Sequence, residues 1–501
     1  MLRRGCIMER SPVFTSAAAE REVEYSGEAA SVVEWSAPNG DVHSLVIPPT
    51  VYPPRRDTDF LADVLANGYL RHGLDWLEIG CGSGALSLFA ASQGCCVTAC
   101  DVHPLAVAAS RGNFESSEYS ATVLEGGPGP EVDGPLGQWG GENLYDAVVW
   151  NMPYLSSPVP GEPTLGPMEE AALTDTDGSG LLVRLIELFE RGRLLKPGGM
   201  AFVVVSSSGW GSNACETAWA KGWSARPLAT TTFEDGEILS VIKIWRPFAS
   251  SPFHLMDVVE STNQWLLETG DAAGATVRAV KQTKGRGRRG RTWESLDESL
   301  LASWVVHSGP GMQHSALDQV RVGGALVNLI KQFQGSDADS VCLKWPNDIY
   351  VCDQTSNVWQ KAGGVLFEAT TQGASSRVVL GIGLNLISPQ NGQYSGLNLI
   401  GVDTGLAHLH RAVHAMVSSL YEVAERRNAL DLTFYDTAAL ESMVNEGVRR
   451  LGPIFYRNAN VGFYRLNNDG SIGVEGGRLV LNDGDDLEWS NIKFGIEDNI
   501  G

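Results

Sequence analysis

The sequence predicts three parts in series: an α/β unit built on a parallel sheet, a second mixed unit, and a small C-terminal β unit. Three observations carry this. The 501 residues exceed what one hydrophobic core holds, which implies two to four domains. The first half alternates short apolar runs with helical stretches, the pattern of parallel strands covered on both faces. Near 246–252 the pattern breaks at "RPFASSP", and beyond about 450 strand-like alternation is punctuated by turn residues.

Taken in order, "LDWLEIG" (74–80) reads as a buried strand, "ALSLFAASQG" as a helix and "CVTACD" (96–101) as the next strand. "VHPLAVAASRGNF" returns as helix, "YDAVVWN" (145–151) is a strand, "LLVRLIELFERGRLL" a helix and "GMAFVVVSSS" a closing strand. Ten of the eighteen residues in 126–143 are Gly or Pro, which marks a loop. A new helix begins at "DVVESTNQWLLETG", and helical text runs from about 405 to 427. The expected domains are a variable segment 1–39 and units over 40–246, 252–440 and 450–501.

Composition narrows the functions. No apolar run approaches the ~20 residues of a membrane span, so no membrane role is expected. Two arginines open the chain, but Glu9, Glu20, Glu22 and Glu24 follow, unlike an organellar leader. The eight cysteines (Cys6, Cys81, Cys95, Cys96, Cys100, Cys215, Cys342, Cys352) show no zinc spacing and read as reduced thiols, so a cytoplasmic setting is expected. The net charge of −22 disfavours general nucleic-acid binding. Against that background "KQTKGRGRRGRTW" (281–293) stands out, because taken alone a basic run of this kind is also a nuclear or nucleic-acid signal.

In the first half, "EIGCGSG" (Glu78–Gly84) follows a strand and opens a helix. Gly80, Gly82 and Gly84 would let backbone approach a nucleotide-like ligand, with Glu78 beside it. Asp101 ends the next strand, where a carboxylate holds ribose hydroxyls. "NMPY" (Asn151–Tyr154) ends the fourth strand. An amide nitrogen is a poor nucleophile, so a site that methylates it needs acceptors for both N–H groups. The Asn151 side-chain oxygen and the Met152 carbonyl are those acceptors, with Pro153 stiffening the turn and Tyr154 stacking on the amide.

With these motifs, residues 40–245 resemble S-adenosylmethionine-dependent methyltransferases of the HemK type, which modify the glutamine of the Gly-Gly-Gln loop in translation release factors. The resemblance implies a class I methyltransferase fold with a doubly wound seven-stranded sheet. It also implies a release factor as partner, together with the small zinc-binding activator that some members use. "VYPPRRDTDFLADVL" (51–65) looks like the family's opening motif, with Arg56 where an acidic residue is usual. Met152 replaces the first proline of the usual Asn-Pro-Pro-Tyr, and "VLEGGPGPEVD" offers no clear adenine-holding Asp. A degenerate scaffold is the alternative.

The second half carries "STNQWL" (261–266), "QTKGRGRRGRTW" (282–293), "KWPNDIYV" (344–351), "KAGGVLFE" (361–368) and "GIGLNL" (381–386) in order. Each resembles its counterpart in biotin–protein ligases, over roughly 252–490. The resemblance implies a class II synthetase-like α+β domain followed by an SH3-like β-barrel. It further implies biotin, ATP and Mg2+ as ligands, and the biotin carrier domain of carboxylases as partner. Biotin's carboxylate must attack the α-phosphate of ATP, so fixed cations are needed where two anions meet. Lys344 is the expected main catalytic cation, with Arg286 and Arg288 beside it and Arg291 on phosphate. Gly285, Gly287 and Gly290 are expected to keep the segment flexible until ligand orders it.

By the same resemblance, Ser261, Thr262, Asn263 and Gln282 read the ureido ring, Trp293 offers a face to adenine and Asn385 recognises its edge. Asp348 is a candidate for placing magnesium. Lys284 stands where small residues are common, for phosphate contact or for solvent. A methyltransferase occupies the place of the DNA-binding helix-turn-helix of bacterial bifunctional ligases, so no DNA binding is expected. Lipoate ligases share the fold and remain the chemical alternative.

Overall fold

The computed structural model describes residues 29–128, 139–140, 143–153, 155–156, 174–175, 180–207, 209–233, 236–310, 316–335, 339–353, 358–389, 394–422 and 435–492. Tyr154, residues 1–28 and most of the Gly/Pro-rich loop over 126–143 lie outside them. The chain divides into two compact units, 1–215 with 226–245, and 216–225 with 246–501.

The first unit opens with a hairpin, β1 (Ser31–Ser36) and β2 (Val42–Ile47). Alternation in β2 turns His43, Leu45 and Ile47 inward, so this hairpin belongs to the core and begins inside the segment expected to be variable. Helix α1 (Arg56–Ala66) follows, then β3 (Asp75–Ile79), α2 (Ala85–Ser92), β4 (Cys96–Asp101), α3 (Pro104–Glu115), β5 (Ala121–Glu125) and β6 (Tyr145–Asn151). Next come α4 (Leu181–Glu190), β7 (Leu195–Ser206), β8 (Ser224–Thr232) and β9 (Ile238–Trp245). One seven-stranded sheet results, in the order β8-β9-β7-β6-β3-β4-β5. Strands β5, β4, β3, β6 and β7 run parallel, and β9 is antiparallel to β7. Ala147, Val148 and Val149 of β6 and Ala201 to Val204 of β7 are fully or almost fully buried, as strands covered on both faces require. The parallel strands place the ends of β3, β4 and β6 side by side, and with them Glu78, Asp101 and Asn151.

The second unit starts with β10 (Phe253–Val259), α5 (Thr262–Glu268), β11 (Thr276–Gln282) and β12 (Ser299–Pro310). Then follow α6 (Ala316–Gln334), β13 (Val341–Lys344), β14 (Asp348–Asp353), β15 (Val358–Gln372) and β16 (Ser375–Asn385). These strands form a second seven-stranded sheet, β10-β11-β12-β16-β15-β14-β13, antiparallel except for β10 beside β11. Helices α7 (Leu406–Tyr421) and α8 (Thr437–Leu451) complete it. Helix α8 runs through 440–450, where a domain boundary was expected, because its apolar face packs on β13. A Cβ on Gly447 would lie 2.0 Å from the Leu343 carbonyl oxygen, so only glycine permits this approach.

Six short strands close the chain: β17 (Ile454–Tyr456), β18 (Ala459–Val461), β19 (Phe463–Leu466), β20 (Ile472–Val474), β21 (Leu479–Leu481) and β22 (Glu488–Trp489). They pair as two three-stranded sheets, β18-β17-β22 and β19-β20-β21.

Candidate functional site

In the second unit one cleft of about 420 Å3 is lined by residues from all five motifs. Its floor is the sheet itself. At Gly381 an added Cβ would lie 2.3 Å from Asn263 Oδ1, and at Gly383 it would lie 2.5 Å from the Trp293 ring. Both glycines therefore exist to let a side chain lie against the strand.

Ser261 caps α5 by accepting from the Gln264 amide. Gln282 Oε1 accepts from the Thr262 amide (2.8 Å) and hydroxyl (3.1 Å). Ser303 Oγ lies 2.8 Å from Thr262 Oγ1 and 2.6 Å from Asn263 Oδ1, and Asn263 Nδ2 donates to Glu368 at 2.9 Å. Ser261, Thr262, Asn263 and Gln282 thus come together as expected. Ser303 and Glu368, which orient them, were not singled out from sequence, although Glu368 ends the motif at 361–368.

The basic segment, expected to stay flexible until ligand orders it, has a definite conformation in this structure. It is a closed hairpin: Trp293 N–H donates to Gly285 (2.9 Å), Gly287 N–H to Arg291 (2.7 Å). Arg289 (φ 54°) and Gly290 (φ 76°) make its tight turn. Gly285 is required by close approach, since a Cβ there would lie 2.4 Å from the Trp293 carbonyl oxygen. Each guanidinium meets a carboxylate: Arg286 meets Glu368 (3.1 Å), Arg288 meets Asp483 (3.0 Å), Arg289 meets Asp483, and Arg291 meets Asp485 (2.5 Å). These pairs neutralise the mutual repulsion that would otherwise open the loop. Lys284 pairs with Glu260 at 2.8 Å and faces solvent. Asp483 and Asp485 come from the turn before β22, and no local sequence signal connects them with a loop almost 200 residues earlier.

Lys344 ends β13, and cross-strand pairing sets it opposite Asp348. Its ammonium lies 5.7 Å from the Trp489 ring centre and 5.9 Å from that of Tyr350. Burial lowers its pKa below the ordinary lysine value, and Asp348 opposes that shift. Burial pushes the Asp348 carboxyl up, but Lys361 and Lys344 outweigh it and hold it below the ordinary value. Lys361 pairs with Asp348 at 2.8 Å and stands 5.5 Å over the Trp293 ring. It lines the cleft and was not assigned a role from sequence. Among the described residues no group of three or more potential metal ligands occurs. Asp348, the candidate for placing magnesium, is paired with Lys361 in this structure. Asn385 lines the cleft, but its Oδ1 accepts from Ser299 (3.1 Å) and its Nδ2 donates to the Ser395 carbonyl (3.1 Å), so it braces the wall.

Residues 255–385 match the biotin/lipoate A/B protein ligase family. This ligase-family segment is similar to the bifunctional ligase/repressor BirA of Salmonella typhimurium, 33% identical over 160 residues. That match covers 30% of this chain and 45% of the Salmonella protein, so the chain spans less than half of that relative. A solved structure of biotin protein ligase from Aquifex aeolicus with biotin and ATP aligns at 22% identity and TM-score 0.36, covering 48% of this chain and 99% of that one. The precorrin-6y C5,15-methyltransferase of Geobacter metallireducens GS-15 aligns at 16% identity and TM-score 0.27, covering 38% and 90%.

Beyond the ligase-family segment, the first unit gathers its own group of expected residues. Gly80, Gly82 and Gly84 all have left-handed φ (67°, 53° and 85°), the conformation their loop needs. Asp101 accepts from the Gly82 amide (2.9 Å) and the His103 amide (2.8 Å), which ties the glycine loop to the end of β4. Burial raises the Asp101 pKa, and those two amides oppose the rise. Glu78 is fully buried and accepts from the Ser87 hydroxyl; burial raises its pKa to about 8. Asn151 Nδ2 donates to Asp57 at 2.8 Å, while its Oδ1 is buried with no hydrogen-bond partner among the described residues. Met152 and Pro153 are buried beside it.

Proposed function

We propose that the second unit is a biotin–protein ligase. The observation that supports this best is the convergence of all five motifs on one cleft. That cleft joins a hydrogen-bonding set at Ser261–Asn263 and Gln282 to the cations Arg286, Arg288, Arg291, Lys344 and Lys361. The first set offers both donors and acceptors, as a ureido ring demands. The second neutralises a carboxylate and a triphosphate brought together.

The biotin carboxylate oxygen attacks the α-phosphorus of ATP. The bond to the β-phosphate oxygen breaks, leaving pyrophosphate and biotinyl-AMP. Lys344, compact and buried, stabilises the negative charge that develops between carboxylate and phosphate. Arg288 and Arg291 exchange their carboxylate partners for phosphate oxygens as ATP enters. A lysine amine of a carboxylase carrier domain then attacks the activated carbonyl, AMP leaves and the amine loses a proton. Relatives named as biotin ligases favour biotin over lipoate. Transfer of radiolabelled biotin to a carrier domain in the presence of ATP tests the reading, and no label transfer by the wild type overturns it.

Asp485 lines the cleft and holds Arg291, so it competes with incoming phosphate. Asp485→Asn is expected to lower KM for ATP by about two- to fivefold, the size of an exposed ion pair. Unchanged or raised KM in steady-state assays would show that this carboxylate positions the loop instead of guarding it.

For the first unit we propose an S-adenosylmethionine-dependent amide methyltransferase acting on a release-factor glutamine. The observation favouring it is the buried Asn151 Oδ1 at the end of β6, without a partner among the described residues and level with the glycine loop and Asp101. The glycine loop and Asp101 fit the nucleoside of S-adenosylmethionine, which would supply an electrophilic methyl group. Asn151 would hold the substrate N–H and aim its nitrogen.

A further inference from the structure

We propose that Asp57 is a positioning residue for amide methylation, fixing the Asn151 side chain so that its carbonyl oxygen, and not its NH2 group, faces the substrate. The inference rests on the methyltransferase reading of the first unit and gives a role to Asp57, a residue of the segment 51–65 to which none was assigned from sequence.

An asparagine side chain is nearly symmetric in shape, and only its hydrogen-bond partners decide which end points where. Here one partner decides. Asp57 lies in the first turn of α1, 94 residues before Asn151, and its Oδ2 accepts from Asn151 Nδ2 at 2.8 Å. A carboxylate oxygen has no proton to donate, so the NH2 end must face it. The reversed amide would set two acceptors against each other in a buried place.

Asp57 is itself held. Its Oδ1 accepts from the Thr58 amide at 2.9 Å, and the Tyr52 hydroxyl donates to Oδ2 at 3.4 Å. Burial, with Asp57 adding to it, pushes the Tyr52 pKa up to about 12, so that hydroxyl keeps its proton and remains a donor at neutral pH. Asp57 and Thr58 are both buried, which keeps water from competing for the amide. The consequence appears at the other end of Asn151. Its Oδ1 is buried without a partner among the described residues, an arrangement that is unfavourable unless a ligand satisfies it. The group that satisfies it must carry an N–H or O–H donor; a planar primary amide does so, and a carboxylate does not.

The test uses the full chain, S-adenosylmethionine and a release factor carrying the Gly-Gly-Gln loop. Calorimetry gives the Kd for S-adenosylmethionine, and tritium transfer gives kcat and KM. Asp57→Asn lets the pair adopt either polarity; it is expected to bind S-adenosylmethionine as the wild type does and to lose at least tenfold in kcat. The exchanged pair, D57N with N151D, restores one donor and one acceptor across the contact and again presents an oxygen to the substrate. It is expected to recover at least threefold over D57N alone, and it decides the matter if D57N alone fails to fold. A purely structural role would lower Tm and weaken cofactor binding without such recovery. Wild-type transfer rates in D57N, or no recovery in the exchanged pair, overturn the proposal. A wild type that neither binds S-adenosylmethionine nor methylates the release factor overturns the methyltransferase reading, and this proposal with it.

Discussion

Lys344→Ala is expected to suppress formation of biotinyl-AMP by roughly 10²–10³-fold or more, the scale for removing a charge that stabilises a transition state directly. The cleft holds other cations, but Arg288 and Arg291 are taken up by phosphate oxygens once ATP enters, Arg286 is paired with Glu368 and Lys361 with Asp348. Lys344 differs in being buried, close to two aromatic rings and cross-strand from Asp348. The pH profile gives a second readout. Burial lowers its pKa, so the fraction charged falls on the alkaline side before the ordinary lysine value of 10.5 is reached. Adenylation by the wild type should decline there with it. Lys344→Arg, which cannot lose its proton in this range, should be slower at neutral pH and should lack that decline. Pyrophosphate release assayed across pH measures both. A Lys344→Ala enzyme within threefold of wild type would remove Lys344 from the chemistry.

What the sequence revealed and what it hid follow one physical division. The strands bearing Glu78, Asp101 and Asn151 were legible because each is a short apolar run, and parallel pairing of such runs brings their ends together. Ser261 to Asn263, Gln282, Trp293 and Lys344 were legible because their motifs are local. The partners were not. Asp57 holds Asn151 across 94 positions, and Asp483 holds Arg288 across 195. Neither pairing leaves a periodic trace. The closed state of the arginine loop was hidden for the same reason, because its glycines indicate freedom and its carboxylates lie elsewhere in the chain. The hairpin at 31–47 was hidden differently: its inward residues alternate with the exposed Val42, Ser44 and Val46, which dilutes the apolar signal.

Stability of the first unit is expected to fall as pH rises from about 5 to 8, and Glu78→Gln should remove most of that fall. Glu78 sits on β3 beneath the glycine loop, fully buried, with the Ser87 hydroxyl as its hydrogen-bond partner. Burial raises its pKa from 4.5 to about 8; the Ser87 bond opposes the rise and nearby Asp101 adds to it. In the unfolded chain the carboxyl ionises near 4.5, while in the fold it keeps its proton to about 8. Between those values the folded state binds more protons, so the stabilisation is complete below 4.5 and lost as pH rises through the folded value. At about 1.4 kcal/mol per pKa unit, the loss amounts to several kcal/mol. Glutamine is neutral throughout, so the difference between variant and wild type should grow with pH in the variant's favour. Asp101 shifts in the same direction and adds a slope of the same sign in both proteins. Amide exchange in β3 and β4 of the full chain, compared between the two proteins at each pH, reads this difference. Parallel pH dependences would mean that Glu78 ionises without cost and that its burial does not govern the loop above it.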